Sequence, residues 1–166
     1  VLAMNNCTEW MVSILAVLGS GAICVPTNPG LRPPEMRNIA NHCEPKLAIL
    51  DADLVGHFSE AKTEFETIVR GGGGDNDWQT VVSGSTLDAF VADVPDSAPA
   101  LIFYTSGTTG VPKGVLLSHG AEIFAAHMVA KHVGITSADR SIVMGALAFI
   151  YPLIINALAS ISGGAS

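Results

Sequence analysis

The chain has 166 residues, 49% of them hydrophobic and only 14% charged, with a formal net charge of −7. That length suits about one domain and buries roughly 70% of the unfolded surface, and the apolar content excludes a mainly disordered protein. An acidic balance argues against nucleic-acid or anionic-membrane partners, which need a basic face to displace counterions.

In chain order, the apolar run at residues 1–4 predicts a strand. Thr8 is a suitable N-cap for a helix reaching Leu18, in which Trp10, Met11, Ile14, Leu15 and Leu18 recur at helical spacing. Gly19 and Gly21 end it, and residues 22–25 follow as a buried strand. Pro33 and Pro34 open a second helix, whose face is marked by Met36, Ile39, Ala40 and Cys43. Residues 47–50 predict a strand; Leu54, Val55, Phe58, Ala61 and Phe65 trace a helical face; residues 67–69 predict another strand. Gly71 to Gly74, followed by Asp75, Asn76 and Asp77, make an exposed loop, since no helix start or cation follows to turn the glycines into a phosphate cradle. A short helix at 85–91, strands at 100–104 and 115–117 and a helix at 121–132 come next. A strand at 142–144 and an apolar helix at 153–159 complete the pattern. Alternating elements of these lengths predict an α/β fold, a doubly wound and mostly parallel sheet with flanking helices.

Sparse charge raises the question of a membrane. Residues 10–31 and 141–166 contain no charged side chain, but Gly, Pro, Asn and Ser interrupt both, so each reads as buried elements joined by a turn. No basic region precedes the first apolar run, so no signal peptide is expected. Cys7, Cys24 and Cys43 are odd in number and well separated, as expected of reduced thiols in a cytoplasmic protein. His119 and Glu122 lie three apart, but two potential ligands do not make a metal site, and none is expected. The chain begins at Val1 and stops just after Gly163-Gly164, and it reads as an excerpt of something longer.

One stretch carries chemistry: Tyr104-Thr105-Ser106-Gly107-Thr108-Thr109-Gly110-Val111-Pro112-Lys113-Gly114. Residues 97–121 hold no Asp or Glu, and Lys113 is their only Lys or Arg. Glycines expose backbone N–H groups in a concave anion nest, four hydroxyls add rotatable donors, and the lysine adds a point charge. The G-x-x-x-x-G-K-[ST] loop does not match, because Gly107 and Gly110 are three apart and Gly114 follows the lysine. Neither G-x-G-x-x-G nor G-x-S-x-G occurs, which removes dinucleotide and serine-hydrolase fingerprints. The competing account is a glycine-rich hairpin with incidental hydroxyls.

Residues 104–114, continuing through Ser118-His119, resemble the phosphate-loop signature of the adenylate-forming (AMP-binding) superfamily, in the form closest to acyl-CoA and aryl-CoA ligases. Upstream, Asn6-Cys7-Thr8-Glu9, Leu15-Ala16-Val17-Leu18 and residues 21–28 resemble that family's early helix–strand unit. The resemblance implies that residues 1–166 are a partial N-terminal AMP-binding domain. It further implies that Thr105, Ser106, Gly107, Thr108, Thr109 and Lys113 contact ATP phosphates, with Lys113 catalytic. Implied with them are ATP, Mg²⁺ and coenzyme A: a carboxylate attacks the α-phosphorus of ATP, releasing pyrophosphate, and a thiol then displaces AMP.

Residues 146–152 fall where the family often has Pro-Leu-Phe-His-x-Tyr-Gly beside the acyl pocket. Phe149 stands in place of the histidine and Tyr151 keeps the aromatic, which implies an apolar acyl or aryl substrate; two core aromatics at the start of a buried helix are the alternative. The family's later Tyr-Gly-x-Thr-Glu, Thr-Gly-Asp and C-terminal lysine elements have no counterpart here, so the fragment alone is expected to be inactive. A non-catalytic nucleotide- or phosphate-binding module is the rival reading.

Overall fold

The structure, a computed structural model, describes residues 1–84, 91–105 and 113–166. At its centre Leu47-Ala48-Ile49-Leu50-Asp51 forms strand β2 (Leu47–Asp51), almost wholly buried, as suits a short β-branched and aliphatic run covered on both faces. Strands β1 (Leu2–Ala3) and β3 (Glu66–Arg70) flank it in parallel, with Leu2 opposite Ile49 and Ile49 opposite Ile68. Helices α1 (Thr8–Gly19) and α2 (Pro33–Cys43) lie between β1 and β2, a 3₁₀ helix (Ala52–Phe58) between β2 and β3, and helix α3 (Trp78–Gly84) after β3. Strands β4 (Pro99–Thr105) and β5 (Lys113–Ser118) form an antiparallel hairpin. Helix α4 (His119–Val133), a π-helical stretch (Tyr151–Leu158) and helix α5 (Ala159–Gly163) complete the described chain.

Residues 24–27 splice the two sheets. Leu2 N donates to Val25 O (3.0 Å) and Thr27 N to Leu2 O (2.9 Å); on the other side Cys24 N donates to Ala100 O (2.8 Å) and Ile102 N to Cys24 O (2.9 Å). Both pairings are parallel. The strand expected at 22–25 is thus realised as two bridges displaced toward Pro26, because Pro26 lacks an N–H and shortens the ladder. The sheet runs β3-β2-β1-(24–27)-β4-β5, parallel everywhere except at β5.

Side-chain alternation divides the core. Leu2, Ile49, Leu101 and Phe103 pack with Trp10 and Ile14 of α1, with Trp78, and with Leu153 and Ile154. Ala3, Ala48 and Leu50 face the other way, against Met36 and Ala40 of α2 and Leu54 and Phe58 of the 3₁₀ helix. This is the doubly wound arrangement expected from the element order. Among the described residues no helix is long and apolar enough to cross a membrane.

Four local expectations change. Helix α1 is capped by Cys7, whose Sγ accepts from Trp10 N at 3.3 Å, and Thr8 is already inside the helix. The face traced from Leu54 to Phe65 is a 3₁₀ helix ending at Phe58, with Phe58 and Phe65 meeting edge to face at 6.0 Å across an irregular return. Residues 142–144 carry no ladder, and Ile142 and Met144 are 83% and 93% exposed. Contrary to expectation a helix start does follow the glycine tract: α3 is begun by Asp77 accepting from Gln79 N, whereas the helix expected at 85–91 lies almost entirely outside the described residues.

A polar knot ties the carboxyl ends of the parallel strands. Asp51, 4% exposed, accepts from Arg70 Nε (2.7 Å) and from both the backbone N (2.8 Å) and Nδ2 (3.0 Å) of Asn5. Burial pushes its carboxyl up, but the bonds from Arg70 and Asn5 outweigh it and hold it below the usual range. A depressed folded value contributes stability above the unfolded value and loses it as pH falls through the folded one. Asp51→Ala, which strands the Arg70 charge and two Asn5 donors, is therefore expected to cost about 3 kcal/mol by urea unfolding of the intact protein at pH 7. The deficit should shrink in acid, and Asp75→Ala on the exposed loop should cost nothing measurable.

Candidate functional site

Strand β4 alternates inward Leu101 and Phe103 with outward Ile102 and Tyr104 before ending at Thr105. In the hairpin register Thr105 lies directly opposite Lys113, the first residue of β5, with Tyr104 opposite Gly114. Directly opposed residues point to the same face with Cβ atoms about 5 Å apart, so the Thr105 hydroxyl and the Lys113 ammonium stem stand side by side, both exposed, at the mouth of the hairpin. By strand alternation that face is the one carrying Leu101 and Phe103. Ser106, Gly107, Thr108 and Thr109 lie outside the described residues.

The strands just behind the hairpin mouth are closely packed. A Cβ on Gly114 would come within 2.9 Å of Ile102 Cγ2 and 3.5 Å of Tyr104 Cζ, so the absence of a side chain lets the Tyr104 ring lie across the neighbouring strand. The Tyr104 hydroxyl is 2.6 Å from His42 Nδ1 of α2, with the two rings edge to face at 5.6 Å. Burial pushes the Tyr104 phenol up to about 12, so it stays protonated. The residue just before Thr105 is thus anchored to a helix on the opposite face of the sheet from Phe103.

Phe149 and Tyr151 are not core aromatics in this structure: they are 50% and 63% exposed, around the first turn of the π-helical stretch. Behind them Leu147 and Leu153 are buried in the same cluster as Phe103 and Leu101. The structure therefore brings Thr105 and Lys113 together and sets Phe149 and Tyr151 on a separate exposed ledge rooted in the same core. Sequence reasoning did not single out His42 or the Tyr104–Gly114 pairing. The available signal was the hairpin register, which places a ring opposite a glycine.

A profile of the AMP-binding enzyme family matches residues 1–166. The chain belongs to the AMP-binding enzyme family. The 3-hydroxybenzoate–CoA ligase of Aromatoleum sp. (strain CIB) is 32% identical over 150 residues, covering 82% of this chain and 27% of that protein. The long-chain-fatty-acid–CoA ligase of Thermus thermophilus is 29% identical over 133 residues, covering 78% of this chain and 25% of that protein. The chain thus spans about a quarter of the length of these curated relatives. The fold of the anthranilate CoA ligase AuaEII, solved with anthranoyl-AMP, matches 99% of this chain and 33% of that one, with TM-score 0.92 and 24% identity.

Glu122 in the first turn of α4 turns inward and is 5% exposed. Its Oε2, like Nε2 of His119, has no hydrogen-bond partner among the described residues. Both side chains line a cavity of about 470 Å³ walled by Leu15, Leu18, Ala126 and Leu158. Burial pushes the Glu122 carboxyl from 4.5 up to about 7. The folded state then binds more protons than the unfolded one between those values, so stability falls as pH rises from 4.5 to 7 and levels off above. Glu122→Gln is expected to raise Tm by about 3 °C at pH 8 and to change it little at pH 5, read by differential scanning fluorimetry at both pH values.

Proposed function

We propose that the protein containing this chain is an acid–thiol ligase that activates an aryl or otherwise apolar carboxylic acid as its acyl-adenylate and passes the acyl group to coenzyme A. The observation that carries this reading is the register that sets Thr105 beside Lys113 at the mouth of the β4–β5 hairpin, in a window of residues 97–121 without one carboxylate. Membership of the AMP-binding family and the names of the relatives support it.

The residues on the page suit a polyphosphate. The Lys113 ammonium neutralises phosphate charge and the Thr105 hydroxyl donates to a phosphate oxygen. By resemblance, Ser106, Thr108 and Thr109 add hydroxyl donors, and Gly107 allows the backbone to approach. In the first step the acid's carboxylate oxygen attacks the α-phosphorus and pyrophosphate leaves. In the second, the thiolate attacks the acyl carbon and AMP leaves. Such a phosphorus transition state needs positioning and charge neutralisation more than a protein nucleophile.

Mg²⁺ fits as a companion of the nucleotide. Magnesium bound with a nucleotide keeps several waters and takes phosphate oxygens together with one or two carboxylates as ligands. The three cysteines are free thiols, and the proposed setting is the cytoplasm, where thiols stay reduced. Phe149 and Tyr151 would offer the apolar surface for the acid. Residues 1–166 alone are proposed to be inactive, because they span about a quarter of the relatives' length.

The test is acid-dependent ATP–pyrophosphate exchange by the full-length protein, with benzoate and octanoate as probe acids. Lys113→Ala is expected to slow exchange about 100-fold and Thr105→Val about tenfold, with Tm unchanged within a degree. Full exchange in Lys113→Ala would remove the phosphate role. ATP binding without exchange for any acid tried would favour the non-catalytic nucleotide module.

A further inference from the structure

The side chain of Asn6 makes a pair of hydrogen bonds across almost the whole chain. Its Nδ2 donates to Gly145 O at 2.8 Å and its Oδ1 accepts from Leu147 N at 2.9 Å. A primary amide used in this way copies the edge of a strand, one donor and one acceptor presented to alternate backbone groups. Residues 140–148 have no regular secondary structure, and this pair ties them to the sheet.

Both ends of the tie are firm. The preceding residue, Asn5, is fixed by two bonds to Asp51, itself bonded to Arg70. The following residues begin α1, capped by Cys7. At the far end, a Cβ on Gly145 would come within 2.6 Å of Pro152 Cγ, so Pro152 rests directly on the Gly145 backbone. Phe149 N donates to Ala146 O (3.0 Å) and Leu153 N to Phe149 O (3.1 Å), which closes the turn between them. Asn6 thereby fixes the first two of the three anchors, Gly145, Leu147 and Pro152, around the exposed ring pair Phe149 and Tyr151.

We propose that Asn6 is a positioning residue for acid recognition: its amide sets the height and tilt of the Phe149–Tyr151 ledge. This rests on the reading of that ledge as the acid's contact surface. Loss of the pair leaves the ledge held by the apolar burial of Leu147, Ala148, Leu153 and Ile154 and by the contact of Pro152 with Gly145, so the rings stay attached but are no longer fixed relative to the hairpin. Binding of the acid suffers, and binding of ATP at the hairpin does not.

The experiment is steady-state kinetics of the full-length protein, using whichever of benzoate and octanoate exchanges faster, with Asn6→Ala, Asn6→Asp, Phe149→Ala and Tyr151→Ala. The aspartate variant keeps the shape and the acceptor but sets an oxygen against Gly145 O, so it tests the donor even where the alanine variant folds poorly. The expected result is a rise of about tenfold in KM for the acid in both Asn6 variants and in at least one ring variant, with KM for ATP within twofold of wild type. If a ring variant raises the acid's KM and neither Asn6 variant does, the positioning role is wrong and the ledge reading stands. If neither ring variant moves the acid's KM, the ledge reading fails and the positioning role fails with it. If the Asn6 variants raise KM for acid and ATP equally, Asn6 is a general structural residue and the proposal is overturned.

Discussion

The backbone of residues 24–27 is the joint on which the rest of the molecule hangs. Without its four hydrogen bonds to Leu2, Ala100 and Ile102 there would be two small sheets, three parallel strands and a detached hairpin. With them, β4 takes its direction from β1, and the hairpin that carries Thr105 and Lys113 inherits the orientation of a buried parallel sheet. Buried backbone groups must be paired, and at 2% exposure Cys24 has no water to fall back on. The segment therefore cannot drift toward either sheet without stranding groups on the other.

That joint explains why the chemistry collects at one edge. Strands β1, β2 and β4 run the same way, so Asn5, Asp51 and Thr105 all lie at or just beyond carboxyl ends of parallel strands. In open α/β sheets ligands bind outside those ends, where loops are free to vary and the strands beneath them are not. Tyr104 adds a brace from the opposite face: its ring crosses Gly114 and its hydroxyl reaches His42. The hairpin mouth is thus packed from both sides of the sheet while Thr105 and Lys113 remain exposed.

How much of this was legible in the sequence depends on whether a signal was local. Helix α2 and strand β2 were plain, since Pro33-Pro34 opens one and Pro45 precedes the four-residue apolar run of the other. The string at 104–114 stands out in the sequence by its residue types, which suit an anion, and its phosphate role is part of the proposed function. The face from Leu54 to Phe65 misled because apolar spacing records burial, and here burial is met by a 3₁₀ turn followed by an edge-to-face Phe58–Phe65 contact. Ile142 and Met144 misled for the opposite reason: they have strand composition, but among the described residues 142–144 pair with no strand. Helix α3 was hidden behind the glycine tract, although Asp77 before Trp78 is a capping signal and the indole donates to Ser13 Oγ at 2.9 Å in the core. The ties of His42 to Tyr104 and of Asn6 to Gly145 and Leu147 span 62, 139 and 141 positions. No window on the sequence contains such pairs.

The opening arithmetic gains a physical meaning from this architecture. Sparse charge is what a sheet covered on both faces requires, with Ala48, Ile49 and Leu50 buried by helices on either side. Within that economy the few charged groups are placed where they act without competition. Asp51 and Arg70 neutralise each other at the strand ends. Lys113 is the only Lys or Arg between Arg70 and Lys131, and no carboxylate stands between residues 97 and 121 to quench it. A net charge of −7 would repel an anionic ligand from a uniform surface, but screening limits that repulsion to about 8 Å at physiological ionic strength. On the proposed reading, a phosphate chain at the hairpin mouth meets Lys113 within a stretch of sequence that carries no carboxylate.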